Sequence, residues 1–326
     1  MLRKKTKHII RYALLNAFLL AGVWGCRKDV VNDFNPYPAT LADLQPLLSQ
    51  VPGPSVQTTF SLAGLSKDTM LLSPSGLRIF LTDVSALLVD GNGQTAAFNT
   101  CQNPSMELLE VMKKGDLAAR EIPTTSADGT LLETSGVFRL RFFCGNEELF
   151  LKAGRTIKIQ VPENNRRDDL FVYNGIITQN QLSSWENSGE PVYWADWLSV
   201  DNLEMINGYE LIVQQLGWIS NSRKVPGPYF SFCVEVPEGF SQLNTVVYMV
   251  FKNVKTVAAM VPGSNPQQFC SNSIPAGYPV KLVTVSKYGN QYWLGSKETE
   301  TGANGSLSLV PQIVTEQQVL AVLKSF

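Results

Sequence analysis

Apolar and polar residues alternate along most of the chain after residue 56. In Val137-Phe-Arg-Leu-Arg-Phe-Phe143 apolar and basic positions alternate from Phe138 to Phe142, the period of a half-buried strand. Residues 148–152 and 156–161 repeat the pattern on either side of Ala153-Gly154-Arg155, which reads as an antiparallel meander, and residues 170–175 continue it. Residues 77–81 and 106–112 are further strands upstream. A second cluster begins near Asn207 and takes in 209–213, 229–236, 245–251, 280–286 and 291–294, with Tyr288-Gly289-Asn290 as a tight turn. The chain closes with a helix: Thr315 is its cap, Gln318 stands at the capping-box position, and Val319, Leu320, Leu323 and Phe326 form one apolar stripe. The expected fold is mainly β, with two antiparallel β-sandwich-like domains and a short C-terminal helix. The expected bounds are 56–184 for the first domain and 207–326 for the second, with an aromatic connector over 185–206.

The N-terminus has another character. Arg3, Lys4, Lys5, Lys7 and Arg11 precede an apolar run from Tyr12 to Val23. About a dozen residues fall short of the ~20 needed to span a bilayer but suit the apolar region of an export signal. The run ends in Val23-Trp24-Gly25-Cys26. This resembles the bacterial lipoprotein signal, although Trp24 stands where a small or aliphatic residue is usual. The resemblance implies a signal peptide over 1–25 and acylation of Cys26, whose buried CH₂ groups at ~0.8 kcal/mol each would anchor the chain to a membrane. Cys26-Arg27-Lys28-Asp29 is similar to the surface-export signal of Bacteroidota lipoproteins. Residues 26–55, interrupted by prolines, read as a lipidated tether. The implied location is the outer membrane, at the cell surface, with its periplasmic leaflet as the alternative.

Composition narrows the function. Without residues 1–25 the basic count falls from 27 to 27 − 5 = 22 against 28 acids, a net of −6. That balance argues against a nucleic-acid partner, which needs a basic face. The single histidine is His8, inside the signal, so the mature chain has no Ser-His-Asp or Cys-His machinery and no His-ligated zinc. No phosphate-binding or dinucleotide-binding glycine loop is present. No metal and no cofactor is expected, and Asp90-Gly-Asn-Gly-Gln94 reads as a turn, lacking the later residues of a calcium loop. Two alternatives to a non-catalytic role remain: a glycoside hydrolase working with carboxylates alone, and an accessory subunit of an envelope complex. Beside Cys26 the cysteines number four. Cys101 with Cys144 and Cys233 with Cys270 is one pairing; four buried free thiols is the other reading.

Ser75-Gly-Leu-Arg-Ile, Met106-Glu-Leu-Leu-Glu-Val, Pro123 to Phe138, Leu151 to Pro162, Leu216-Gly-Trp-Ile-Ser and Ile274-Pro-Ala-Gly-Tyr-Pro-Val together resemble uncharacterised surface lipoproteins of Bacteroidota. The first half is also distantly similar to the β-sandwich module of ankyrins and netrin receptors, an interaction domain without chemistry. Both resemblances imply binding, adhesion or scaffolding. Trp185, Tyr193, Trp194 and Trp197, with Asp196, Tyr209 and Trp218 nearby, are the aromatics for a glycan or protein partner, or else core. Asp68-Thr69-Met70 fits the O-glycosylation pattern of the same phylum, which makes Thr69 a modification candidate.

Overall fold

The computed structural model describes residues 40–326 except 53–56, 97, 99, 202 and 303–304. Cys26 and the signal peptide expected over 1–25 therefore lie outside the described residues. The first sandwich holds β1 (Gln57–Ser61), β2 (Thr69–Leu72), β3 (Arg78–Leu81), β4 (Leu88–Val89), β5 (Pro104–Val111), β6 (Leu132–Cys144), β7 (Glu147–Leu151), β8 (Ile157–Pro162), β9 (Phe171–Thr178), β10 (Gln181–Pro191), β11 (Tyr193–Leu198), β12 (Met205–Val213) and β13 (Gly217–Lys224). One sheet runs β1-β5-β6-β13-β9-β10, with β7 also on β6 and β4 on β7; the facing sheet runs β11-β12-β8-β3-β2. Phe138, Leu140 and Phe142 of β6 meet Ile157, Ile159 and Leu211 of the facing sheet in a core closed to solvent. Because side chains alternate along a strand, Val137, Arg139 and Arg141 point to the opposite face of β6.

Two expectations are corrected here. The meander stops at β7: β8 crosses to the other sheet, between β12 and β3. Alternation gives a strand's buried face but not which sheet owns it. The domain boundary also moves. Residues 185–206 are not a connector, since they fall mostly in β10 and β11, and β12 and β13 pair with β8, β6 and β9. The first domain thus extends through Lys224. The passage to the second is Val225-Pro226-Gly227-Pro228, where two prolines lack the N–H a ladder requires.

The second sandwich holds β14 (Tyr229–Glu235), β15 (Thr245–Phe251), β16 (Val257–Ala259), β17 (Val261–Pro262), β18 (Gln268–Pro275), β19 (Pro279–Tyr288), β20 (Gln291–Glu300), β21 (Gly305–Ser308) and β22 (Gln312–Val314). Its sheets run β17-β18-β14-β21 and β16-β15-β19-β20-β22, antiparallel except for β14 with β21. Val234, Phe269, Met249, Phe251 and Leu282 fill the space between them. Gly289, at φ 58°, opens the two-residue turn joining β19 and β20.

The outer face of β15 and β19 is covered by helices. The C-terminal helix Glu316–Lys324 starts at Thr315, whose hydroxyl accepts the Gln318 N–H while the Gln318 side chain accepts the Thr315 N–H. Val319, Leu320 and Leu323 pack on Tyr248, Val283 and Val285. Leu44, Leu47, Leu48 and Val51 join them, carried by the helical turn Gln45–Leu48. This corrects the tether reading for residues 40–52. Those four positions follow the i, i+3, i+4, i+7 spacing of a helix face, and the segment's prolines mask it in the sequence.

A third helix, Lys114–Ala119, lies between the sandwiches. Leu117, with Ile122, packs against the outer face of the first, while Ala118 and Ala119 pack with the helices on the second. A Cβ on Gly115 would stand 2.1 Å from the Leu323 carbonyl oxygen, so only glycine permits this approach. Polar contacts reinforce the junction. The Lys255 carbonyl accepts from the Thr134 N–H at 3.1 Å, Lys255 Nζ donates to Ser135 O at 2.7 Å, and Thr124 Oγ1 donates to Val257 O at 2.7 Å. The Glu133 carboxylate, 2% exposed, accepts from Arg167 and Arg223, each at 2.8 Å.

Cys101 is bonded to Cys144 and Cys233 to Cys270. The second bond joins directly opposite residues of β14 and β18.

Candidate functional site

The aromatic residues singled out in the sequence are dispersed over different layers. Trp185 is buried on the outer face of the first sheet, with Tyr173, Leu117 and Ile122, and its indole N–H donates to Pro123 O at 2.6 Å. Trp194 packs at the edge of the first core, edge-on to Tyr209 at 5.1 Å. Trp197 and Tyr193 belong to the outer face of the facing sheet, by register with Ile206 and Glu210. Trp197 is only 7% exposed and lies where a Cβ on Gly208 would meet its ring at 2.5 Å. Tyr193 is 57% exposed, and Asp196 is exposed as well. The four do not form one surface. Thr69 opens the edge strand β2, partly exposed, paired only with Leu81 of β3.

Asp90 receives backbone N–H groups of Asn92 and Gln94 on Oδ1, and Val89 bridges Thr95, so this segment is a closed turn. Among the described residues no group of three or more His, Cys, Asp or Glu side chains is placed to hold a metal. Asp168 is engaged by Arg166 at 3.0 Å and Glu298 by Lys252 at 2.5 Å. Among the described residues no helix is long and apolar enough to cross a membrane.

Trp218 is the aromatic that stands at a cavity. Sheet, hairpin and covering segment enclose about 460 Å³, lined by Arg120, Glu121, Ile122, Arg139, Ile177, Asn180, Gln181, Leu182 and Trp218. Arg139 and Trp218 are direct neighbours across β6 and β13, on the face turned away from the core, with the guanidinium over the indole at 5.6 Å. Gly175 of β9 allows this arrangement: a Cβ there would fall 2.6 Å from both Trp218 Cβ and Leu182 Cδ1. The hairpin contributing Asn180 and Gln181 turns through Gln179 and Asn180, both in the left-handed region at φ 52° and 63°. Glu121, on the opposite wall, has φ 54°. Backbone held in this way by non-glycine residues marks a segment fixed by its surroundings.

The charges in the cavity are uneven. Neither Arg120 nor Arg139 has a carboxylate within 4 Å among the described residues, whereas Arg141, next on the same face, is paired with Glu148 at 2.8 Å and Glu107 at 3.8 Å. Glu121 is engaged by the Gln45 amide at 2.8 Å. Loss of water around Arg120 lowers its pKa from the ordinary range, and the field of Asp116 opposes this shift in part. A second cavity, about 300 Å³ and mainly apolar, lies beyond Glu121 and Ile122, among Leu117, Tyr248, Val257 and Met260.

Sequence reasoning counted Trp218 among the clustered tryptophans but did not reach Arg120, Arg139 or Asn180. Arg139 reads as one polar position of an alternating strand. Arg120 and Asn180 are separated by 60 positions that only the fold brings together.

No family model matches the chain, and no curated protein does. Among solved structures, a crystal structure of wild-type pneumolysin aligns over 84% of this chain and 72% of its own, at 10% identity and a TM-score of 0.16. That likeness carries no argument about fold or function.

Proposed function

We propose that the mature protein is a lipid-anchored binding protein of the outer membrane, exposed at the cell surface, and that it works without chemistry of its own. The anchor rests on the signal-like N-terminus ending in Cys26. The observation that carries the binding role is the cavity at Trp218, where two guanidinium groups, two amide side chains and an indole converge. Pockets of 300–1,000 Å³ with a few convergent polar groups are the usual form of a small-ligand site. A carboxylate hydrolase would need two acids facing one cleft; this cavity has Glu121 alone.

Anchoring is tested on intact cells. External protease should cut the native protein, and Cys26→Ala should move it from the membrane fraction to the soluble one. A protected native protein would place it on the periplasmic side; an unchanged fraction would remove the lipid anchor.

One observation favours a second reading, an accessory role in an envelope complex. The end of β11, the start of β12 and the turn between them present Leu198, Val200, Leu203 and Met205 to solvent, with Leu203 80% and Met205 63% exposed. Ser199 braces the turn by accepting the N–H groups of Leu203 and Glu204. A concentrated apolar projection of this kind suits a protein interface. Leu203→Ser with Met205→Ser should leave thermal stability within about 0.5 kcal/mol, as surface changes do, and release any partner retained through detergent purification. Retention of the same partners by the double variant would exclude this loop as the interface.

A further inference from the structure

We infer that the cavity between Arg120, Arg139 and Trp218 takes an acidic saccharide, a sugar whose ring carries a carboxylate. The inference rests on the binding role proposed above and gives it a ligand class.

The lining of the cavity supports this. Its two guanidinium groups come from different elements, Arg139 from the sheet and Arg120 from the segment following the Lys114–Ala119 helix, yet they line one space. Arginine side chains on a protein surface ordinarily find carboxylates, as Arg141, Arg155, Arg166, Arg167 and Arg223 do in this fold. Arg120 and Arg139 do not, and Arg120 has been deprived of some of its water. An incoming carboxylate would supply the missing charge, and the planar fork of arginine matches its two oxygens.

The rest of the lining distinguishes a sugar from a bare anion. Asn180 and Gln181 each offer both a donor and an acceptor, the pairing that ring hydroxyls require. Ile177, Leu182 and the indole of Trp218 provide apolar surface for the C–H face of a pyranose. A volume of about 460 Å³ exceeds what a lone carboxylate or sulfate would fill. Glu121, the single acid in the wall, has one oxygen held by Gln45 and can accept from a hydroxyl with the other.

The test uses the full exported protein, purified in detergent, with three probes: a galacturonic acid trisaccharide, its methyl ester, and the neutral galactose trisaccharide. The acid should bind at least ten-fold more tightly than either uncharged probe. Arg120→Ala should weaken acid binding by ten-fold or more while leaving the thermal transition close to native, because its side chain makes no hydrogen bond or ion pair among the described residues. Arg139→Lys keeps the charge and loses the fork; it should weaken acid binding while the neutral probe is unaffected. Equal binding of all three probes, with both arginine variants unchanged, would overturn the acidic class while leaving a sugar site at Trp218. Binding of none, with the protein still reached by external protease on cells, would overturn the saccharide inference and leave the surface location standing. Binding of inorganic sulfate as tight as the acid trisaccharide would overturn the sugar component.

Discussion

Glu133→Ala is expected to lower the free energy of unfolding by about 3 kcal/mol, the lower part of the range for breaking a buried ion pair from one side. The carboxylate is almost closed to solvent and receives Arg167 on one oxygen and Arg223 on the other, both at 2.8 Å. Arg167 belongs to the loop before β9 and Arg223 to β13, so one side chain holds two separate segments of the first sandwich. It also stands beside the junction, where Thr134 and Ser135 bond Lys255 of the second sandwich. Both guanidinium groups keep some contact with water and can turn outward when the acid is removed, which places the cost at the lower end. Glu133→Gln retains an acceptor for one arginine and should fall between Ala and the native residue. Urea unfolding gives the free energy, and hydrogen exchange at Thr134 reports the junction. A change below about 1 kcal/mol would mean the pair is compensated by water.

Removal of the Cys233–Cys270 bond, as Cys233→Ala with Cys270→Ala, is expected to cost about 4 kcal/mol on the chain-entropy account. The loop it closes spans 37 residues, and its release gives the unfolded chain the freedom the bond withholds. The two cysteines face one another in the ladder, so β14 and β18 lose a covalent link without losing their backbone bonds. A fall in Tm of about 6 °C follows for a chain of this size. The change should appear in the near-ultraviolet signal of the second sandwich before that of the first if the two open separately. A single shared transition would show that the Lys114–Ala119 helix and Lys255 couple them. A Tm within about 2 °C of the native value would contradict the assignment of this bond as a main stabiliser.

The strands that the sequence makes legible are of two kinds. β12 and the second half of β6 alternate because water meets or nearly meets one side of each, whereas β15 and β19 read as apolar runs because the facing sheet covers one side and the helices the other. β10 escapes notice because Gln181-Leu-Ser-Ser-Trp185 offers only two apolar side chains, and its place at the sheet edge demands no more. β13 is hidden for another reason: Ser220 and Ser222 are polar but buried, with Ser220 bonded to Thr134 and Ser222. Periodicity measures hydrophobicity and does not detect burial satisfied by hydrogen bonds. The capping box at Thr315 was readable in full because all its atoms lie within four residues.

The sequence by itself determined the β class, the C-terminal helix and its cap, and the basic-then-apolar pattern of the first 26 residues. These depend on near neighbours: alternation, capping geometry, and the length of an apolar run. Sheet membership, the passage at 225–228, the docking of residues 40–51, the dispersal of the tryptophans and the cavity around Arg120, Arg139 and Trp218 were decided only by tertiary structure. Each depends on residues tens of positions apart becoming neighbours. What brings them together is the shared burial of whole faces, a property of the folded chain that no local pattern records.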